Sequence, residues 1–534
     1  MTKMTGGQAL IRSIYREGIR VIFGLPGVQL YHAMDALYDE PGIRFITTRH
    51  EQATTYMADG FSRAGGGIGT ALMVPGPGLL NASAGISTAY SASSSILVLS
   101  GQIERDLIGS DRGMLHEIND QIDTIRPVTK SARRVLDPSE IPFVVRESFK
   151  DLNSGRPRPV EIEIPPETLA QEAEIELLEP ELEPRKRPNG STLQQAVSIL
   201  NEAERPLIWA GGGVISSEAS QELTELSEFL QSPVVMTAEG KGSISDRHPL
   251  SLGSLRLRND PVAKEDPHFD LILAVGTRLA FPAWLDGQKV IQIDIDETEA
   301  GRNYENTLKV VGDAKTTLSE LLKSLSSISE PRPDNRDIIA DLRARRSETS
   351  IRVEPQESLL SSIRSAMPDD GILVSGMTQM GYYARGFFPV YQPKTFMTSS
   401  YSGNLGYAFP FALGAKVAQP DKAVVALSGD GGFLFNSQEL ATAVQYGINA
   451  VVVVFNDSAY GNVMRDQINR FDGRTIGVDL HNPDFMKLAE AYGARGMRAD
   501  RPEDLGDVLR DAIAGNKPTL LEVPVGMMPT PFES

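Results

Sequence analysis

Short runs of consecutive apolar residues, each closed by glycine or a polar turn, alternate along the chain with stretches whose apolar positions fall at helical spacing. In the first third, residues 21–23, 43–47, 69–74 and 95–100 predict strands, and 8–17, about 52–64 and 81–90 predict helices. Unbroken valine- and leucine-rich runs mark strands buried on both faces, as in a parallel sheet covered by helices. The same alternation returns at 206–210, 233–236, 271–275 and 290–295, and again from 424 onward. The pattern predicts an α/β protein of three doubly wound parallel-sheet domains, spanning 1–170, 190–325 and 356–534. Pro- and Glu-rich text at 165–188 and a second stretch at 326–356 read as linkers. An arginine-rich helix expected at 338–346 reads as a solvated face.

The length of 534 residues leaves room for about three domains at roughly 150 residues each. A formal net charge of -18 argues against a nucleic-acid partner, because a phosphate backbone requires a basic face. The absence of cysteine removes disulfides, thiol nucleophiles and thiolate metal sites, and fits a cytoplasmic protein. The first residues lead into an amphipathic helix without an apolar signal core, and no run approaches the ~20 apolar residues of a membrane span.

The strongest chemical signal lies in the last third. A strand ends at Gly429-Asp430-Gly431-Gly432, a helix pattern follows at 438–446 with Gly447 as its stop, and a second strand ends at Asn456-Asp457. Parallel strands joined through a helix usually lie side by side with their ends on one edge, so Asp430 and Asp457 are expected to face one crevice. Two carboxylates there suit Mg²⁺, which keeps phosphate oxygens among its ligands, and the glycine backbone suits the phosphates themselves. The tetrapeptide alone is equally a strand-to-helix turn, and it is Asp457 that tilts the reading toward a metal–diphosphate site. Glu51 opens a helix after a strand at the edge where parallel sheets bind ligands, although the helix dipole alone accounts for a carboxylate there. Gly211-Gly212-Gly213 is read as a tight turn.

These stretches resemble the thiamine diphosphate signature, a Gly-Asp-Gly followed by Asn-Asn, here Asn456-Asp457. Arg49-His50-Glu51-Gln52-Ala53 is similar to the family's Arg-His-Glu-x-Ala, Phe23-Gly24-Leu25-Pro26-Gly27 and Gly76-Pro77-Gly78-Leu79-Leu80-Asn81 to its pyrimidine-side loops, and Gly155-Arg156-Pro157-Arg158-Pro159-Val160 to the strand closing its first domain. Gly376-Met377-Thr378-Gln379-Met380 resembles a loop near the diphosphate, and Ser402-Gly403-Asn404-Leu405-Gly406-Tyr407-Ala408 the segment that bends the cofactor. The resemblance is strongest to the acetolactate synthase-like branch. It implies pyrimidine-binding, middle and diphosphate-binding domains in that order.

The resemblance also implies roles. Glu51 would hydrogen-bond the aminopyrimidine and drive the tautomer that takes the thiazolium C2 proton, with the cofactor carrying the hard chemistry. Leu405 would be the apolar wedge beneath the two rings. Pro26, Val74, Asn81, Gly376, Met377, Thr378, Gly403, Gly429, Asp430, Gly431, Gly432, Asp457, Tyr460 and Gly461 would line the cofactor. Asp430, Asp457 and the Ala459 backbone carbonyl would hold Mg²⁺. His116 and Gln29 are further catalytic candidates, the first for proton transfer and the second for orienting a carbonyl. The implied reaction is decarboxylation of a 2-oxo acid with carboligation to an acceptor carbonyl, in a homodimer or homotetramer with active sites between subunits. Simple decarboxylation or C–C lysis without ligation, and a non-catalytic binding role, are the alternatives.

The text departs from biosynthetic acetolactate synthases in places. Leu279-Ala280-Phe281-Pro282 stands where they have Asp-Asp-Arg, and Asp466 where they carry a Trp. Leu252-Gly253-Ser254-Leu255-Arg256 differs from their flavin-binding text, so FAD is expected to be absent.

Overall fold

A computed structural model of the chain describes residues 1–181, 183–255, 269–280, 285, 287–348 and 350–530. Expectations placed on Arg256, Phe281 and Pro282 lie outside the described residues. The strands are β1 Thr2–Thr5, β2 Val21–Gly24, β3 Arg44–Thr47, β4 Gly69–Met73, β5 Ile96–Gly101, β6 Ser131–Arg134, β7 Val160–Ile164 and β8 Glu172–Ile175 in the first third. The middle third contributes β9 Pro206–Ala210, β10 Val234–Met236, β11 Ser251–Ser254, β12 Leu271–Val275, β13 Lys289–Asp294 and β14 Thr307–Val311. The last third contributes β15 Ile372–Ser375, β16 Phe396–Thr398, β17 Val424–Gly429, β18 Val451–Asn456, β19 Arg495–Arg498 and β20 Thr519–Pro524.

Three six-stranded sheets result, each parallel throughout. The first runs β3-β2-β4-β5-β7-β6 and the third β16-β15-β17-β18-β20-β19, so these two share one connectivity. The second runs β11-β10-β9-β12-β13-β14, the doubly wound order that reverses between its first and fourth strands. The three blocks are therefore alike in class, but only the outer two are alike in topology.

The outer two domains also share a hydrophobic core, which takes Phe23, Tyr56 and Met57 from one and Tyr407, Phe411 and Leu440 from the other. Helices Glu51–Phe61 and Ala408–Ala418 cross at the centre of that core. Glycines permit the approach: a Cβ on Gly60 would lie 2.0 Å from the Phe411 carbonyl oxygen, and one on Gly414 would lie 1.9 Å from that of Met57. Arg63 fastens the middle domain to both, with Nη2 2.8 Å from Glu239 Oε2 and Nη1 donating to the Thr398 carbonyl at 2.7 Å.

Several expectations need correction. The stretch 165–188 contains the helix Pro166–Ala170 and β8, which pairs antiparallel with β1 at the N-terminus, so the chain opens with a strand. The helix expected at 81–90 is Pro77–Ala92, because Pro77 at its first position has the φ a helix needs. The helix Arg336–Glu348 does not present its arginines to water as a group. Arg346 is buried and donates to the carbonyls of Leu252 and Ser254, and Arg343 donates to those of His248, Pro249 and Ser251. Edge strand β11, unmarked in the sequence, thus has its outer carbonyls satisfied by guanidinium groups. Arg346→Ala is expected to destabilise the fold by about 2–4 kcal/mol, because it leaves buried carbonyls unpaired. Thermal unfolding measures this, with Arg345→Ala, at a half-exposed position on the same helix, expected to shift the midpoint far less.

Candidate active site

Loops at the carboxyl ends of the first sheet converge. Pro26 and Gly27 follow β2, Val74 follows β4, and Glu51 opens the helix after β3. His50 caps that helix, its Nδ1 accepting the Gln52 N–H at 3.1 Å. Glu51 Oε2 accepts from Asn81 Nδ2 at 3.1 Å. A Cβ on Gly27 would lie 2.0 Å from Val74 Cγ1, and one on Gly78 would lie 2.7 Å from Val74 Cγ2 and 3.7 Å from Glu51 Oε1. Val74 therefore wedges between the two loops that flank Glu51. Pro26 and Asn81 are exposed, and Glu51 and Val74 are partly so.

His116 and Gln29 come together, with Nδ1 and Oε1 3.2 Å apart, and Gln29 Nε2 donates to the Leu115 carbonyl at 3.2 Å. His116 has φ of +71°, an uncommon conformation for a residue with a Cβ. Its carbonyl folds over the glycine loop: a Cβ on Gly76, itself at φ +56°, would lie 2.2 Å from the His116 oxygen. The Gly76 N–H donates to Gln121 Oε1 at 2.9 Å, and Gln121 Nε2 reaches Glu163 Oε2 at 2.9 Å and Ser100 Oγ at 2.9 Å. Gln121 was missed in the sequence, where a glutamine in a polar stretch carries no signal of its own.

The second cluster forms at the carboxyl ends of the third sheet. β17 and β18 are neighbours, so Asp430 and Asp457 follow adjacent strand ends. They border a cavity of about 230 Å³ whose lining also includes Met377, Thr378, Gly403, Leu405, Gly429, Gly431, Gly432, Ala459, Tyr460 and Gly461. Gly376 does not line it; its N–H donates to the Leu427 carbonyl at 2.9 Å, ending the sheet ladder. Asp430 is buried, with Oδ2 accepting from Asn482 Nδ2 at 2.5 Å. Asp457 accepts from Gln379 Nε2 at 3.1 Å and from the Ala459 N–H at 3.3 Å. Burial, and then the nearby charge of Asp430, push the Asp457 carboxyl up to about 6. A carboxylate made costly by a second one beside it suits a divalent cation between the two, and Asn482 Oδ1 beside them is buried without a partner. Gln379, in the loop that resembles one near the diphosphate, belongs to this cluster, as do Asn482 and Tyr382, which were not singled out in the sequence.

No residue of 1–170 lines that cavity. At about 230 Å³ it is below the ~300–1,000 Å³ usual for small-molecule sites. The Glu51 cluster and the Asp430–Asp457 cluster therefore share no cavity lining within the chain.

A larger cavity, about 1890 Å³, lies between the middle domain and its neighbours, bordered by Gly211, Gly212, Gly213, Gly276, Asp294 and Arg156 among others. In its lining two turns meet backbone to backbone, the N–H of Gly213 donating to the Gly276 carbonyl at 3.0 Å and that of Gly211 to the Val275 carbonyl at 2.9 Å.

Comparison with known proteins matches all three domains. Residues 4–124 match the N-terminal TPP-binding domain of thiamine pyrophosphate enzymes, 193–321 the central domain, and 376–523 the C-terminal TPP-binding domain. The chain is 36% identical to a probable acetolactate synthase large subunit of Methanocaldococcus jannaschii, over 97% of this chain and 92% of that one. It is 33% identical to the acetolactate synthase isozyme 3 large subunit of Escherichia coli, over 96% of this chain and 93% of that one. With an acetolactate synthase of Mycobacterium bovis the identity is 32%, over 98% and 89%.

Proposed function

Because the chain belongs to the thiamine pyrophosphate enzyme family, among relatives of the acetolactate synthase large subunit, we propose that it decarboxylates a 2-oxo acid and joins the remaining fragment to a second carbonyl compound. The bond between carboxylate and keto carbon breaks, CO₂ leaves, and a new carbon–carbon bond forms. Bound thiamine diphosphate supplies the electron sink for the pair that CO₂ leaves behind.

The observation that carries this reading is the pair of half-sites. On one, Glu51, held by Asn81, presents a carboxylate able to exchange a proton with a ring nitrogen. On the other, Asp430, Asp457 and the Ala459 carbonyl would hold Mg²⁺, and Gly431 and Gly432 leave the backbone open to a diphosphate. Leu405 would support the rings, while His116 and Gln29, already in contact, would face the substrate. Met377, Thr378, Gly403, Gly429, Tyr460 and Gly461 would line the cofactor on the diphosphate side, and Pro26 and Val74 on the pyrimidine side. Gly376 would act only by ending the strand before that loop.

Half-sites require a second copy. Val28, Tyr31, Leu80 and Leu115 are exposed around the Glu51 half, and Phe435 and Val463 around the other, leaving apolar surface for a partner subunit to cover. We read the enzyme as a cytoplasmic homodimer or homotetramer. Among the described residues no helix is long and apolar enough to cross a membrane.

FAD is left out of this reading. The middle-domain cavity has room for a dinucleotide, but the first and third glycine N–H groups of Gly211-Gly212-Gly213 are spent on protein carbonyls and are not free for a pyrophosphate. The purified protein is expected to lack a flavin absorption band, and a stoichiometric band would overturn this point.

Incubation with thiamine diphosphate, Mg²⁺ and a panel of 2-oxo acids tests the activity itself. Ligation consumes two carbonyl molecules for each CO₂ released; one acid and one aldehyde per CO₂ would identify a simple decarboxylase. Glu51→Gln is expected to lower kcat by at least about 100-fold while retaining the cofactor, the loss typical of a removed acid–base group. Asp457→Asn removes one negative charge from the cation site and is expected to weaken Mg²⁺ binding by about tenfold. Titration of Mg²⁺ in the presence of thiamine diphosphate measures it, and an unchanged affinity would make the carboxylate at 457 a neutral variation.

A further inference from the structure

The turn that delivers Glu51 is held from outside its own domain. Residues 48–50 connect Thr47 at the end of β3 to the helix Glu51–Phe61, and one face of the helix Glu439–Tyr446 in the third domain lies against residues 47–50. Glu439 accepts the Arg49 N–H at 3.0 Å and 3.3 Å through its two carboxylate oxygens. Thr442 Oγ1 donates to Glu439 Oε2 at 2.6 Å. The Thr47 N–H donates to the Tyr446 hydroxyl at 2.9 Å, and the Arg49 guanidinium to Gln445 Oε1 at 2.9 Å. Positions 439, 442 and 446 recur on one helix face, so a single rigid element carries these contacts.

Glu439 is fully buried, which is costly for a carboxyl group unless it serves a specific partner. Burial pushes it up to about 7, against the Thr442 hydroxyl and the Arg49 amide that favour its charged form. Nothing in holding the two domains together demands an acid here, because the shared core already does so with apolar side chains. What Glu439 does bind is the backbone two residues before Glu51. A second tie runs alongside, with Asn436 Nδ2 donating to the Gly406 carbonyl at 2.8 Å and to Gln52 Oε1 at 3.3 Å.

We propose that Glu439 is a positioning residue for Glu51: by fixing the Arg49 amide it sets where the Glu51 carboxylate points. The inference rests on the reading of Glu51 given above. Glu439 lines neither cavity and its carboxylate accepts from the Arg49 amide and Thr442, so it acts through the turn. A displacement of the carboxylate on the order of 1 Å is enough to cost about 100-fold in rate.

The test uses the full chain. In the apoprotein, Glu439→Ala is expected to speed amide hydrogen exchange in peptides spanning 44–52 by about tenfold or more, as the turn loses its clamp. In the presence of thiamine diphosphate and Mg²⁺, kcat is expected to fall by about 10- to 100-fold, with cofactor affinity within about threefold of wild type. Glu439→Gln keeps an acceptor for Arg49 and a donor for Thr442, and is expected to recover most of both losses and to guard against a folding failure of the alanine variant. Unchanged exchange at 44–52 overturns the clamp, whatever Glu51 does. Faster exchange with kcat intact overturns the positioning role, and so do losses of kcat, cofactor affinity and thermal stability in step, which mark a merely structural residue. Glu51→Gln with full turnover overturns the Glu51 reading separately, since the exchange measurement does not depend on it.

Discussion

The structure depends on one close approach, where the helix Glu51–Phe61 crosses the helix Ala408–Ala418 with Gly60 and Gly414 at the contact. Side chains larger than hydrogen would drive each backbone away from a carbonyl oxygen only about 2 Å from where the Cβ would sit. Each helix begins at a candidate ligand loop: the first at Glu51 itself, the second just after Leu405-Gly406-Tyr407. Their separation and angle therefore set the relation between the loops of the first sheet and those of the third. Interiors pack at crystal-like density and are not continuously deformable, so this geometry is held tightly.

Two domains of the same connectivity packed in this way place both sets of loops in fixed positions, yet they do not close one site within a chain. The cavity at Asp430 and Asp457 takes its lining from the third domain alone, and the Glu51 side is partly open, with exposed Leu80 and Leu115 beside it. Polar and apolar groups left half-covered in this way are what the second subunit of the proposed assembly would cover, and a site built there would gain exclusion of water only on assembly. An uncommon backbone conformation lies at the same place, with His116 at φ +71° over Gly76 at +56°. Such conformations persist where neighbouring structure over-determines them, here through the Gln29 and Gln121 hydrogen bonds.

The middle domain follows different logic. Its strand order reverses at β9 and β12, beside the cavity of about 1890 Å³, but the glycines there bring two turns into backbone contact. Arg63 and Glu239 form one of its links to the outer pair, a partly buried ion pair with the Thr398 backbone and hydroxyl as further partners, and Arg156 with Glu299 forms another. Removing one member would leave the other poorly solvated, so the link is specific as well as attractive.

By itself the sequence determined what local pattern and short-range chemistry control. Apolar runs located most of the parallel strands, because burial on both faces leaves a period that needs no partner to be read. Gly429-Asp430-Gly431-Gly432 and Asn456-Asp457 lay on neighbouring strand ends because a strand–helix–strand unit has essentially one way to fold. What the tertiary structure decided involved partners far away in the chain. The pairing of β1 with β8, the burial of Arg346 against β11, the Gln121 support of Gly76, Asn482 on Asp430 and Glu439 on Arg49 all join segments separated by tens to hundreds of residues. A polar side chain in the sequence reads as solvated until the fold supplies the one backbone group it must satisfy. That group's position follows from how helices and sheets pack, which no local pattern encodes.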